Sequence, residues 1–119
     1  MGTTPTLGST STFTGDVTYY EPAGGAGACG TPLQNSDMVA AVSTTLYDAY
    51  TQGGNPNNNQ LCGQMIELTY NDGSTVTVPI KDRCEACAVS DVDLTPPAFT
   101  QLVGSTDVGR TQASWKFVS

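Results

Sequence analysis

The side chains able to do chemistry in this chain are carboxylates and four cysteines, because histidine is absent. Without imidazole, no Ser/His/Asp or Cys/His nucleophile can be assembled, nor any zinc site with a histidine ligand. Cys84-Glu85-Ala86-Cys87 is a C-x-x-C, while Cys29 and Cys62 stand alone, so the two-knuckle spacing of a four-thiolate zinc site is missing. A thioredoxin-type redox pair would open a helix behind a buried strand, whereas this motif runs into the loop-like Ala88-Val89-Ser90-Asp91. An even cysteine count in a small domain points instead to disulfide staples and a secreted, extracellular location. Of the three possible connectivities we favour Cys29 with Cys62 and Cys84 with Cys87. No metal and no cofactor are expected. The carboxylates also have ordinary structural roles open to them: Asp93 can cap a helix that follows it, Asp82 can pair with Lys81 or Arg83, and Glu21, ahead of Pro22 and a Gly-rich turn, can simply be solvated.

The elements that must position these groups belong to a chain of 119 residues, the size of one domain. Its net charge of −7 repels a phosphate backbone, which argues against nucleic-acid binding. No apolar run approaches the ~18–20 residues that cross a bilayer, and the start lacks the layout of a secretory signal. Residues 1–12, rich in Thr, Ser, Gly and Pro, are expected to form a flexible N-terminal segment ahead of a single domain over 13–119. A starting Met before such a segment fits a mature secreted form given a new initiator.

Only 13% of residues are charged, and short apolar stretches alternate with turn residues, which predicts a mainly β domain. Strands are expected over Gly15–Tyr20, Met38–Val42, Met65–Tyr70, Thr75–Ile80 and Gln112–Val118. Asn71-Asp72-Gly73-Ser74 carries the residues that tolerate positive φ and predicts a hairpin. One short helix is expected after Ser43 or Thr44, with Leu46, Tyr47 and Tyr50 as packing residues, ending near Gln52-Gly53. A second follows Thr95 as N-cap, with Pro96 and Pro97 in its first turn, Phe99 and Leu102 inward, and Gly104 as stop. Residues 53–60, GGNPNNNQ, read as a polar loop, of which Asn55 to Gln60 could line one end of a groove. Trp115 alternates with Phe117 and is read as core. Tyr19 and Tyr20 alternate, so one is expected to face a groove and the other the core.

Three segments together resemble the double-psi β-barrel group of expansins, loosenins and barwin-like proteins. They are Gly15-Asp16-Val17-Thr18-Tyr19-Tyr20 with Gly27-Ala28-Cys29-Gly30; Cys62-Gly63-Gln64-Met65-Ile66-Glu67-Leu68-Thr69 leading through Val76 to Asp82-Arg83-Cys84; and Val92-Asp93-Leu94-Thr95-Pro96-Pro97-Ala98-Phe99, similar to the expansin D-L-S-x-x-A-F box. In this order they cover roughly residues 15–118. The D-R-C-x-x-C segment and the length are most similar to the single-domain fungal loosenins. The resemblance implies a six-stranded double-psi barrel with two short helices and a groove across one face. It also implies a secreted, monomeric protein acting on cell-wall polysaccharide such as cellulose, chitin or a related glucan.

On that match Asp93 takes the place of the aspartate on which wall loosening depends, with Asp82 and Thr18 as groove neighbours and Tyr19, Tyr20 and Glu21 beside the substrate. Hydrolysis needs two carboxyl groups across the scissile bond. Asp93 can serve as the acid, and Glu21 falls near the place where inverting endoglucanases of this barrel carry their base, a place where expansins generally lack a functional one. The preferred expectation is therefore non-hydrolytic: Asp93, Thr18 and Asp82 exchange hydrogen bonds with sugar hydroxyls and no bond is cut. The barwin-like group also includes a cysteine-protease (papain) inhibitor, so inhibition of a papain-like protease through the rigid loop Pro22–Gly30, or an effector role, is the competing expectation; a weak inverting endoglucanase is the third.

Overall fold

In the computed structural model the described residues are 12–22, 24–25, 27–30, 32–52 and 55–118. The chain forms β1 (Phe13–Tyr19), β2 (Ala40–Ser43), α1 (Thr44–Asp48), β3 (Thr51–Gln52), β4 (Asn55–Asn59), β5 (Met65–Thr69), β6 (Thr75–Cys84), β7 (Val92–Leu94), α2 (Pro96–Val103), a 3-10 turn (Thr106–Val108) and β8 (Arg110–Phe117). Six strands close into a barrel in the order β1-β7-β2-β6-β5-β8, while β3 and β4 pair apart from it. Two of the barrel pairings are parallel, β1 with β7 and β2 with β6, and the other four are antiparallel. This is the six-stranded double-psi barrel that the sequence resemblance implied.

Alternation sets the inside of the barrel. Val17 on β1, Ile66 and Leu68 on β5, Val76, Val78 and Ile80 on β6, Val92 and Leu94 on β7, and Ala113, Trp115 and Phe117 on β8 are buried, and the residues between them face out. Trp115 is 1% exposed, as its alternation predicted; its ring packs against Phe13 at 5.2 Å in a tilted arrangement, and its Nε1–H donates to Ser90 O at 2.9 Å. The helix α2 sets Phe99 and Leu102 into the same core. Gly73 at φ +89° closes the β5–β6 hairpin, with Tyr70 N donating to Ser74 O at 2.8 Å. Both disulfides have the favoured pairing, Cys29–Cys62 and Cys84–Cys87. The first lies against the hydroxyl of buried Tyr47, 3.5 Å from Cys29 Sγ and 3.4 Å from Cys62 Sγ.

Several expectations need correction. The polar stretch predicted as a loop contributes β4, paired with β3, because an Asn-rich segment can satisfy a backbone ladder without an apolar stripe to announce it. The first helix ends at Asp48, one turn short of the predicted stop; Ser43 is its N-cap, accepting from Leu46 N at 3.1 Å. Thr95 precedes α2 as predicted, with Gly104 at φ +101° closing it, but its side chain makes no cap bond. Its hydroxyl instead accepts from Val39 N at 3.1 Å, holding the approach to β2. The expectation of flexibility over 1–12 falls, apart from Thr12, outside the described residues.

Candidate functional site

The predicted site residues come from strands distant in sequence that barrel closure makes neighbours. Thr18 on β1 pairs with Asp93 on β7, Asp93 pairs with Ala41 on β2, and Ala41 pairs with Asp82 on β6. Thr18, Asp93, Ala41 and Asp82 therefore form one lateral row across four strands. The buried neighbours Val17, Val92 and Leu94 point inward, so Thr18 and Asp93 point out of the barrel.

Asp93 is half-buried and takes the Thr18 hydroxyl on Oδ1 at 3.0 Å. Burial pushes its pKa above the ordinary aspartate value; the Thr18 bond opposes that shift, and the negative charge of Asp82 adds to it. Asp93 does not act as a simple helix cap, since Thr95 separates it from α2. A polar acceptor that is held by one donor and resists ionisation is suited to exchanging hydrogen bonds with hydroxyl groups, and equally to donating a proton.

Asp82 is already occupied. Its Oδ1 accepts from Ala28 N at 2.9 Å and from Arg83 N at 2.8 Å, and its Oδ2 accepts from the Tyr20 hydroxyl at 3.0 Å. The Arg83 side chain turns away to a bidentate pair with Asp48, both bonds at 2.9 Å. Asp82 thus ties the Gly-rich loop and Tyr20 to the barrel. Gly27 of that loop comes so close that a Cβ would lie 2.7 Å from Lys81 O, which explains a glycine there. Burial and the Asp82 carboxylate push the Tyr20 phenol far above its usual pKa.

Of the two tyrosines, Tyr20 is the one beside the carboxylates. Tyr19 is 37% exposed and its ring leans on Phe99 of α2 at 5.3 Å, at the end of the barrel. Glu21 is exposed and accepts from Asn35 Nδ2 at 3.3 Å.

A cleft of ≈ 200 Å³ opens beside Thr18 and Asp93, walled by the Cys84–Cys87 disulfide with Ala86 and by Asp16, Asp91 and Arg110. The last three were not singled out from sequence, although Asp16 is two residues from Thr18 and Asp91 two from Asp93, the spacing of one strand face. Asp91 Oδ1 accepts from Asp16 N at 2.9 Å, so the parallel pair carries two polar rungs, Asp16–Asp91 and Thr18–Asp93. Arg110 bonds Asp16 at 2.6 Å and lies 3.7 Å from Asp91. Its guanidinium, with Gln112, holds the Asp16 carboxyl below its usual range. Gly15 lets the loop before β7 close on β1: a Cβ there would lie 2.1 Å from Ser90 O. Among the described residues no group of three or more His, Cys, Asp or Glu is placed to hold a metal ion.

No protein-family model matches the chain. It is 40% identical over 109 residues to the papain inhibitor of Streptomyces mobaraensis, covering 89% of this chain and 71% of that protein. A solved Streptomyces papain inhibitor superposes with a TM-score of 0.83 at 37% identity, covering 96% of this chain and all of that one. A mutant expansin of Clavibacter michiganensis in complex with cellohexaose superposes with a TM-score of 0.72 at 28% identity, over 92% of this chain and 51% of the expansin. An Allergen Asp f 7 homolog of Arthroderma benhamiae is 35% identical over 94 residues; the chain spans 30% of its length.

Proposed function

We propose, for a chain that belongs to the papain-inhibitor family of expansin-like double-psi β-barrels, that it is a secreted protein whose cleft binds cell-wall polysaccharide and loosens it without hydrolysis. The observation that carries this reading is Asp93: an outward, half-buried carboxyl, held by Thr18, lining a cleft. In the fibre, glycan hydroxyls bond to neighbouring strands. Asp93 and Thr18 offer an alternative acceptor and donor, and Asp82 with Tyr20 keeps the row in place. Glu21, the candidate base, is engaged by Asn35 on an exposed segment, which favours exchange of hydrogen bonds over cleavage. The superposed expansin holds cellohexaose, which supports a glycan as the ligand class.

A second reading has its own support. The 40% identical relative is a papain inhibitor, and a solved Streptomyces papain inhibitor superposes along all of its own length on 96% of this chain. Inhibition would use a rigid surface against a protease cleft, and the anchoring of Ala28 and Cys29 by Asp82, the Cys29–Cys62 disulfide and the bond from Cys29 N to Lys81 O supports that reading. Binding to insoluble cellulose, chitin and xylan, measured beside a titration of papain, separates the two. Retention on a polysaccharide without loss of papain activity is the expected result; stoichiometric loss of papain activity at submicromolar concentration without retention establishes the inhibitor instead.

A further inference from the structure

The cleft at Asp93 is the first of three neighbouring hollows. Asp16 and Arg110, which bound it, also line a second hollow of ≈ 460 Å³ that adds Asn71, Thr111 and Gln112. Asn71 and Gln112 in turn line a third, ≈ 210 Å³, reaching Tyr70 and Ser114. The three hollows share lining residues and follow one another along the strands. Strand register explains the course: Thr18 pairs with Arg110, Asp16 with Gln112 and Thr14 with Ser114, so alternate outward positions of β1 and β8 form a polar ladder. From residue 110 to 114 this spans about 13 Å along the strand.

We propose that a neutral β-linked glycan entering at Asp93 runs across the Asp16–Arg110 pair and along β8 to the β5–β6 hairpin, with Gln112, Asn71 and Tyr70 as a second group of subsites. The inference rests on the polysaccharide reading of Asp93 and gives that site a direction and a ligand charge. Arg110 pairs with Asp16, and Asp91 accepts from Asp16 N and Ala88 N; Gln112 donates to Asp16 and Thr111 to the Tyr70 hydroxyl, bonds that occupy only part of the capacity of these amides and hydroxyls and leave the rest to meet the ligand. Such a lining suits an uncharged, hydroxyl-rich chain. In the other direction from Asp93, Asp82 already accepts from Ala28 N, Arg83 N and Tyr20.

The test is a ¹⁵N NMR titration of the protein and of the Asn71→Ala/Gln112→Ala variant with cellohexaose and with chitohexaose. At least one hexasaccharide is expected to shift the amides of Thr18 and Asp93 together with those of Asn71 and residues 111–114, and the double variant to bind it at least threefold more weakly. Shifts at Thr18 and Asp93 without shifts at Asn71 and 111–114, or unchanged affinity in the variant, overturn the track and leave the Asp93 reading standing. Shifts at Asn71 and 111–114 alone overturn the continuous track and the role of Asp93. No shift with either sugar overturns both.

Discussion

Asp93 and Asp82 share a strand partner: Ala41 pairs with Asp93 on one side and with Asp82 on the other, so a methyl group only 2% exposed stands between the two carboxylates in the row. A larger side chain there has no space to enter without moving one of the two carboxylate strands. Ala41→Leu is expected to cost about 1–3 kcal/mol, read as a fall in Tm, and to weaken glycan binding in the folded fraction; Ala41→Gly retains binding. Full stability and binding in Ala41→Leu would show that the spacing does not matter.

The raised pKa of Asp93 makes a stability prediction. In the unfolded chain it ionises near the ordinary aspartate value of about 4; in the folded chain burial holds the proton to higher pH. Ionisation therefore favours the unfolded state, and stability is lost as pH rises from that value through the folded pKa. Asp93→Asn removes the penalty while keeping an acceptor for Thr18. Its Tm is expected to exceed that of the parent by a few degrees at pH 7 and to match it at pH 3. An equal or lower Tm at pH 7 would contradict the burial of this carboxyl.

Asp82 is expected to matter through its three donors. Asp82→Ala leaves Ala28 N, Arg83 N and the Tyr20 hydroxyl without their acceptor, at about 1–3 kcal/mol for each group that stays buried. Tyr20→Phe removes one bond and should cost about 1 kcal/mol. Denaturant unfolding ranks the two; a Tyr20→Phe loss as large as that of Asp82→Ala would assign the anchoring to the phenol instead.

The two disulfides close loops of very different length, with separations of 33 and 3 residues. Loop-closure entropy gives about 4 kcal/mol for Cys29–Cys62 and about 2 kcal/mol for Cys84–Cys87. Cys29→Ala/Cys62→Ala should accordingly melt well below Cys84→Ala/Cys87→Ala. The reverse order would mean that the short bridge, which walls the cleft, also holds the barrel together.

What the sequence revealed followed from local signals. Asn71-Asp72-Gly73-Ser74 specified a hairpin, and Thr95-Pro96-Pro97 with Gly104 bounded α2, because turn and cap chemistry is written in adjacent residues. Val92–Leu94 is too short to show a period of its own, and Asn55–Asn59 has no apolar stripe. Thr95 looked like a capping side chain, but Val39, 56 positions away, takes its hydroxyl. The site followed the same division. Asp93, Asp82 and Thr18 were named through family resemblance, yet their common row depends on two parallel pairings that no local pattern encodes. Arg110 and Asp16, 94 residues apart, meet only because β8 closes the barrel on β1.

The central claim is that Asp93 in its cleft weakens polysaccharide fibres by exchanging hydrogen bonds. It is tested most directly by the tensile strength of cellulose and chitin fibres treated with the parent protein or with folded Asp93→Asn, with reducing ends counted in the same samples. Fibres weakened by the parent, unaffected by the variant and free of new reducing ends are the expected result. Equal weakening by both proteins, or weakening that tracks the release of reducing ends, would contradict it.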